Sequence, residues 1–444
     1  MQTSPQSSPA PSKKTVSLAI AIILLVVGIA AGTAVGYFGR GALATTLCSS
    51  GNTITIGELL DLSKDLSSQG KRAEISSGYA IKDINAQLAS AGCNLKFATQ
   101  VDDYQLDNTL ASSDLASLAA AGVQVVVGPL NSGAASTILT YANQNHIVLI
   151  SPSSTSVALA IPGDYLFRTA PNDRWQGQAD ARMMTDRGAK DLIVVQRHDS
   201  YGDALANATG RYFFLDGGHN ETTIQYTTPV TDWSTTLNQV QTEFNAALCP
   251  HTPCSPGTYL ANQIAIDVIA FEEFGSMILK ASSSSYPSFP WSTMPWFGTD
   301  GEAQDAVIVN ATYGAPVAQV VLPSTVFGFV DNSKTLNLDQ RYTADHGPDF
   351  CDIYCKSAYD DVWLAALATL QAGSNSGAAI KAVLPTVAAN YFGVTGPTLL
   401  EASGDRVATT YEIWKVVTQS GAQTWVFAGS WEAATDSVTW TSPP

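Results

Sequence analysis

From residue 53 onward, short apolar runs alternate with stretches whose apolar positions recur every three to four residues. The first pattern reads as strands buried on both faces, the second as amphipathic helices. Thr53–Leu60, Leu95–Val101, Val123–Gly128 and Ile147–Ile150 are the first four predicted strands. Helices are predicted over Ala73–Ser90, where Ile81, Ile84 and Leu88 fall at helical spacing, and over Asp114–Ala121. A second series begins with helix Arg174–Arg187, strand Asp191–Gln196, helix Gly202–Leu215 and strand Glu221–Thr227. Helix Ser234–Ala247, strand Ile264–Phe271, helix Gly275–Ser282 and strand Met294–Gly298 continue it. This order implies a parallel sheet with helices on both faces, and two such runs imply two lobes. Ala170-Pro171-Asn172 breaks the pattern, so a passage between lobes is read at Thr169–Asp173. Further passages are read at Val317–Pro323 and Val394–Pro397. Thr410–Trp440 alternates apolar and polar residues, as an antiparallel hairpin around Gly421 would. Ala281–Trp296, rich in Ser and Pro, reads as a surface loop.

The N-terminus differs. Residues 1–12 are rich in Ser, Pro and Gln, followed by Lys13-Lys14 and then an uncharged run from Val16 to Phe38. As a helix this run would span roughly 34 Å, enough for a bilayer core. Two Lys before it and Arg40 after it place the N-terminus inside. The run reads as an uncleaved anchor. A cleaved signal peptide is the alternative, since Ala42-Leu43-Ala44 resembles a cleavage site. The expected organisation is a short cytoplasmic tail (1–15), a transmembrane anchor (16–38) and a linker (39–52). Lobe I would comprise 53–170 and 323–395, lobe II 171–322 and 396–444. Everything after residue 40 would lie outside the cell.

Charge narrows the function. Net charge is −16 and no basic patch exists to neutralise phosphates, which argues against nucleic acid. Charged residues are only 14%, with Ser and Thr in their place. Either a hydroxyl-rich secreted coat or an acidic exterior accounts for this. Six cysteines outside the membrane suggest disulfides. Cys249–Cys254 and Cys351–Cys355 read as local staples. Cys48 and Cys93 precede the first two strands, whose starts adjoin if the strands are parallel neighbours. Zinc is disfavoured, because neither local spacing is C-x2-C. Asn207, Asn220 and Asn310 begin glycosylation sequons.

The candidate chemistry lies where strands end. One strand runs into Pro129-Leu130-Asn131-Ser132-Gly133, another into Ser151-Pro152-Ser153-Ser154-Thr155. In open parallel sheets ligands sit beyond the carboxyl ends of strands. Helix N-termini and hydroxyls there suit a small carboxylate, and no Lys or Arg precedes Arg168 in this stretch. The same Ser and Thr residues also cap helices well. The five His residues are scattered, and no G-x-S-x-G or phosphate loop is present. No cofactor and no metal site is expected.

Val127-Gly-Pro-Leu130, Ile150-Ser-Pro-Ser153 and Phe167-Arg-Thr-Ala170 resemble the type I periplasmic solute-binding proteins, specifically the branched-chain amino-acid-binding family of ABC importers. Thr53–Leu60, Gly78–Asn85, Tyr201-Gly-Asp203, Gly298-Thr-Asp-Gly301, Ala358-Tyr-Asp360, Gly396-Pro397 and Gly404-Asp405-Arg406 extend the likeness over nearly all of the chain from residue 53. The resemblance implies an α/β fold of two doubly wound parallel-sheet lobes joined by three crossovers, here preceded by one transmembrane helix. It implies an amino acid bound between the lobes. Ser132, Ser153 and Thr155 would take the ligand carboxylate, Asp300 its ammonium, and Tyr201 would close on it. Asp300 stands where such binders commonly have Glu. Glu272 and Glu273 stand where they have Gly or an aromatic residue; either one facing the cleft would favour a cationic or amide ligand, and the alternative is that both point to solvent. The implied partners are the ligand, an ABC permease and its ATPase, with the membrane reached through the N-terminal helix. The alternatives are a ligand-sensing ectodomain, which would need an output domain beyond the short inner tail, and a binder of an amide, urea-type or cationic molecule. An enzyme would need a nucleophile or an acid–base pair, and none is evident.

Overall fold

A computed structural model describes residues 47–249, 253–283, 286 and 290–442. Strands β1 (Thr53–Leu60), β2 (Lys96–Asp103), β3 (Val125–Val127), β4 (Val148–Ser151) and β5 (Leu166–Arg168) form a parallel sheet in the order β2-β1-β3-β4-β5. Helices α1 (Ser67–Ser90), α2 (Asn108–Ala120) and α3 (Ser132–Asn145) cross between them. The two-residue period of a strand divides the apolar side chains between two cores. Val125, Val127, Val148 and Ile150 join Ile84 and Leu88 of α1. Val126 and Leu149 face the other way, onto Leu115 of α2 and Ile138 of α3.

The chain then enters a second sheet. Helices α4 (Asp173–Asp186), α5 (Ser200–Leu215), α6 (Ser234–Ala247), α7 (Glu273–Ala281) and α8 (Gly314–Val320) accompany β6 (Asp191–Arg197), β7 (Asn220–Tyr226), β8 (Ile264–Ile269), β9 (Trp296–Gly298) and β10 (Ser324–Gly328). Next come α9 (Ser333–His346), α10 (Ile353–Ala372) and α11 (Gly377–Asn390), and the short pair β11 (Phe392–Gly393) and β12 (Gly396–Pro397). Strands β13 (Thr410–Gln419), β14 (Ala422–Glu432) and β15 (Ser437–Trp440) complete the second sheet, ordered β15-β14-β13-β10-β9-β8-β6-β7. Strands β6 to β10 run parallel, whereas β13 to β15 add antiparallel to the edge of β10. The predicted hairpin is therefore present. Ser420 and Gly421 have φ of 51° and 84°, the two positive values its tight turn requires.

The second sheet is mixed rather than wholly parallel. One boundary is also corrected. Residues 324–328 were expected in the first lobe, but β10 pairs with β9 and β13. The chain returns to the first lobe only after Gly328, where Val362 of α10 and Ile380 of α11 join the core of Val125 and Ile150. The last passage is later too: Arg168 at the end of β5 bridges Asp405, and the second sheet resumes at Thr410. An apolar strand reports that it is buried, not which sheet buries it.

Disulfides join Cys48 to Cys93, Cys249 to Cys254 and Cys351 to Cys355. Among the described residues no helix is long and apolar enough to cross a membrane; the expected anchor at 16–38 lies outside them.

Candidate functional site

The carboxyl ends of both sheets face each other across one cleft. From the first sheet come the loops after β1, β3 and β4, carrying Gln69, Ser132 and Ser153. From the second come those after β6, β8 and β9, carrying Tyr201, Phe271 and Asp300. Tyr354, in the first turn of α10, completes the wall. Together they line a cavity of about 20 Å³. That is room for about one water, so a larger ligand requires the lobes to part.

Local geometry sets each group. β3 ends at Gly128, whose φ of 108° and close approach to Leu59 O exclude a side chain. The turn delivers Ser132 to the start of α3. Ser132 Oγ accepts the N–H groups of Thr155 (3.2 Å) and Ser156 (3.1 Å), tying the two hydroxyl-rich loops together. Its own proton remains for a ligand oxygen. Ser153 Oγ donates to Leu130 O at 2.8 Å. Thr155 is buried, and its Oγ1 makes no hydrogen bond.

Asp300 is the anionic centre. Tyr201 donates its hydroxyl to Asp300 Oδ1 at 2.6 Å, and Tyr354 donates to Oδ2. Glu302 braces the loop by accepting from Thr299 N (2.9 Å), Thr299 Oγ1 (2.8 Å) and Ala270 N (2.8 Å). Burial raises the Asp300 carboxyl above the usual range, and hydrogen bonds from Tyr201, Tyr354 and Gln176 oppose the rise. The Tyr201 ring stacks on Phe271 with centroids 5.3 Å apart. Apolar Leu66 and Leu130 line the same cavity.

Sequence reasoning missed two of these groups. Tyr354 lies inside the Cys351–Cys355 staple, a segment read for its cysteines alone. Asp173 begins α4 just beyond the first passage; it is fully buried and neither carboxylate oxygen makes a hydrogen bond. Its proton is held well above the usual carboxylate range by burial and by the nearby charge of Asp300. Two buried carboxyls this close repel, and a cation near both relieves them. The signal was available: an Asp three residues after the Phe167-Arg-Thr-Ala170 segment, just past the last strand of the first sheet.

Glu272 reaches the opposite lobe but is not among the residues that line the cavity. Its Oε1 accepts Ser68 N–H at 2.8 Å and Ser67 Oγ lies 3.2 Å away, so α1 takes it up. Glu273 is also turned away, 2.8 Å from Arg197 Nη1 and 2.9 Å from Tyr226 OH. Among the described residues no Lys or Arg lines the cavity.

These features match known proteins. Residues 53–248 fit the sequence profile of the periplasmic binding protein family. An uncharacterized protein of Methanocaldococcus jannaschii is 27% identical over 422 residues, covering 89% of this chain and 94% of that one. The chemotactic signal transduction system substrate-binding protein BasB of Halobacterium salinarum is 28% identical over 169 residues, 35% of this chain and 40% of that one. The leucine-binding protein LivK of Thermotoga maritima superposes with a TM-score of 0.70 at 17% identity, covering 86% and 99% of the two chains. The branched-chain amino acid binder LivJ of Streptococcus pneumoniae, in complex with isoleucine, gives 0.63 at 22% identity, covering 85% and 100%. A solute-binding protein of R. palustris in complex with benzoate gives 0.65 at 16%, covering 85% and 96%. The chain therefore has the type I periplasmic-binding-protein fold, with the family's own profile matched across residues 53–248.

Proposed function

We propose that this chain is an extracytoplasmic solute-binding protein that captures a hydrophobic amino acid between its lobes. The observation that carries this reading is that buried Asp300 lines the same cavity as the neutral hydroxyls of Ser132 and Ser153, with no Lys or Arg among the lining residues. The hydroxyls supply donors for a carboxylate without a cation. Asp300 supplies the acceptor for an ammonium. Leu66, Leu130 and Phe271 supply walls for an apolar side chain. A zwitterion satisfies all three. A simple anion such as benzoate would leave Asp300 without a partner cation, at a cost of several kcal/mol. No role as an enzyme is proposed.

In this reading the protein delivers its ligand to an ABC permease and ATPase, and residues 16–38 hold it at the membrane with the lobes outside. The three disulfides support an oxidising compartment. A ligand-sensing role is the second reading, favoured by the partial likeness to the chemotactic protein BasB. Calorimetry against leucine, isoleucine, valine, arginine, urea and benzoate tests the ligand class. Binding of benzoate but of no amino acid would overturn it.

A further inference from the structure

Helix α1 has no side-chain cap of its own. Leu66 occupies the N-cap position, and the first turn carries no acidic residue. An apolar N-cap leaves the first N–H groups of a helix without partners. Lys64 O meets the Ser67 N–H within the same lobe, and the acceptor for the Ser68 N–H comes from the opposite lobe. Glu272, just after β8, reaches across the cleft: its Oε1 accepts Ser68 N–H at 2.8 Å, and Ser67 Oγ lies 3.2 and 3.3 Å from its two oxygens. Its backbone N–H also donates to Asp65 O at 3.1 Å. Two contacts beside it run between the same partners. Ala306 N–H donates to Ser68 Oγ at 3.2 Å, and Arg72 Nη1 donates to Gln304 O at 3.0 Å. Arg72 is held for this by Asp349 and Asp352.

We propose that Glu272 is a positioning residue that holds the lobes together by capping α1 from the opposite lobe, and so sets ligand affinity without touching the ligand. The arrangement has a physical logic. When the lobes part, the first turn of α1 loses its acceptor and Glu272 gains water. When they meet, the Glu272 carboxyl, which burial pushes up to about 8, accepts from the first turn of a 24-residue helix. The effect on closure stands on these contacts alone, whereas the effect on affinity rests on the binding function proposed above.

The test uses the whole soluble portion as exported, with Glu272→Ala and Glu272→Gln. Small-angle scattering without added ligand reads closure. Glu272→Ala should raise the radius of gyration and speed hydrogen exchange at Ser68. Glu272→Gln, which keeps an acceptor oxygen of the same reach, should stay near wild type. With L-leucine as the probe, Glu272→Ala should dissociate at least about tenfold faster. A scattering curve and a Ser68 exchange rate unchanged in Glu272→Ala would overturn the proposal. If wild type does not bind leucine, that outcome counts against the proposed ligand, while the scattering and exchange results still decide the latch.

Discussion

Arg168 Nε lies 2.6 Å from Asp405 Oδ1, with both side chains sealed from solvent. The pair joins the first passage between the lobes to the last. Arg168 also donates through Nη1 to Ser154 O (3.1 Å) and Ser156 O (2.8 Å), so it fixes the loop that carries Thr155. Asp405 Oδ2 is occupied by Asn172 Nδ2 and Ser403 Oγ, both at 3.0 Å. Asp405→Ala strands a buried guanidinium and should cost about 3–5 kcal/mol. Thermal melts should show a fall of several degrees. An unchanged midpoint would mean that water already reaches this pair.

Part of this was readable in advance. Thr53–Leu60 and Ser234–Ala247 form with the predicted bounds, because the first lies between Asn52 and Asp61 and the second carries one clear helical period. The hydroxyl loops after β3 and β4 were legible because Val125–Val127 and Val148–Ile150 are apolar without a break. Phe167-Arg-Thr-Ala170 and Gly404-Asp405-Arg406 were recognisable as marks, yet nothing along the chain says that Arg168 meets Asp405. That pairing spans 237 residues and exists only after folding. Strand β10 was assigned to the wrong lobe for the same reason. Glu272 and Asp173 show the converse case: both are acidic residues at cleft-facing loops, and only tertiary contacts separate the one that caps a helix from the one left without a partner.

The disulfides should contribute unequally. Cys48–Cys93 closes a loop with a sequence separation of 45, Cys351–Cys355 one of only 4. Loop-closure entropy gives about 4 kcal/mol for the first and about 2 kcal/mol for the second. Urea unfolding of Cys48→Ser/Cys93→Ser should show the larger loss. The Cys351–Cys355 bridge spans Tyr354, so its removal should weaken leucine binding more than its small effect on stability suggests. Equal losses of stability in the two variants would contradict this ordering.

Stability should decline as pH rises above about 4. Glu58 is fully buried, and burial pushes its carboxyl up to about 8. Burial pushes Asp267 and Asp305 to about 7. Unfolded carboxyls lose their protons near pH 4, while these folded ones keep theirs. Between those values the native state holds more protons than the unfolded state, so unfolding becomes easier with each unit of pH. The loss from Glu58 alone should be on the order of a few kcal/mol between pH 4.5 and 8. Melting points measured over this range should fall, and Glu58→Gln should flatten the slope by helping at pH 8 but not at pH 4.5. A melting point that rises from pH 4.5 to 8 would refute the assignment.

The two buried acids of the cleft give the sharpest expectation. Asp300 is held by Tyr201 and Tyr354, whereas the Asp173 carboxyl accepts no hydrogen bond and its backbone N–H donates to Thr155 O at 2.8 Å. An arriving ammonium finds the Asp300 carboxyl already oriented. Asp300→Ala removes it and leaves the ammonium without its counter-charge. Truncating one member of such a pair costs about 2–5 kcal/mol, so the dissociation constant for leucine should rise at least about 30-fold. Asp173→Asn keeps the shape of a carboxyl that burial already holds protonated, so it should weaken leucine far less than Asp300→Ala does. It should ease folding at neutral pH, since a carboxyl without partners is replaced by a neutral amide. Thr155→Ala should cost about 1–2 kcal/mol, because Ser132 remains as a donor. Titration calorimetry on the three variants, each paired with a melting curve, separates these effects. If Asp300→Ala binds leucine as wild type does, the ammonium lies elsewhere and the cleft has been read in the wrong orientation.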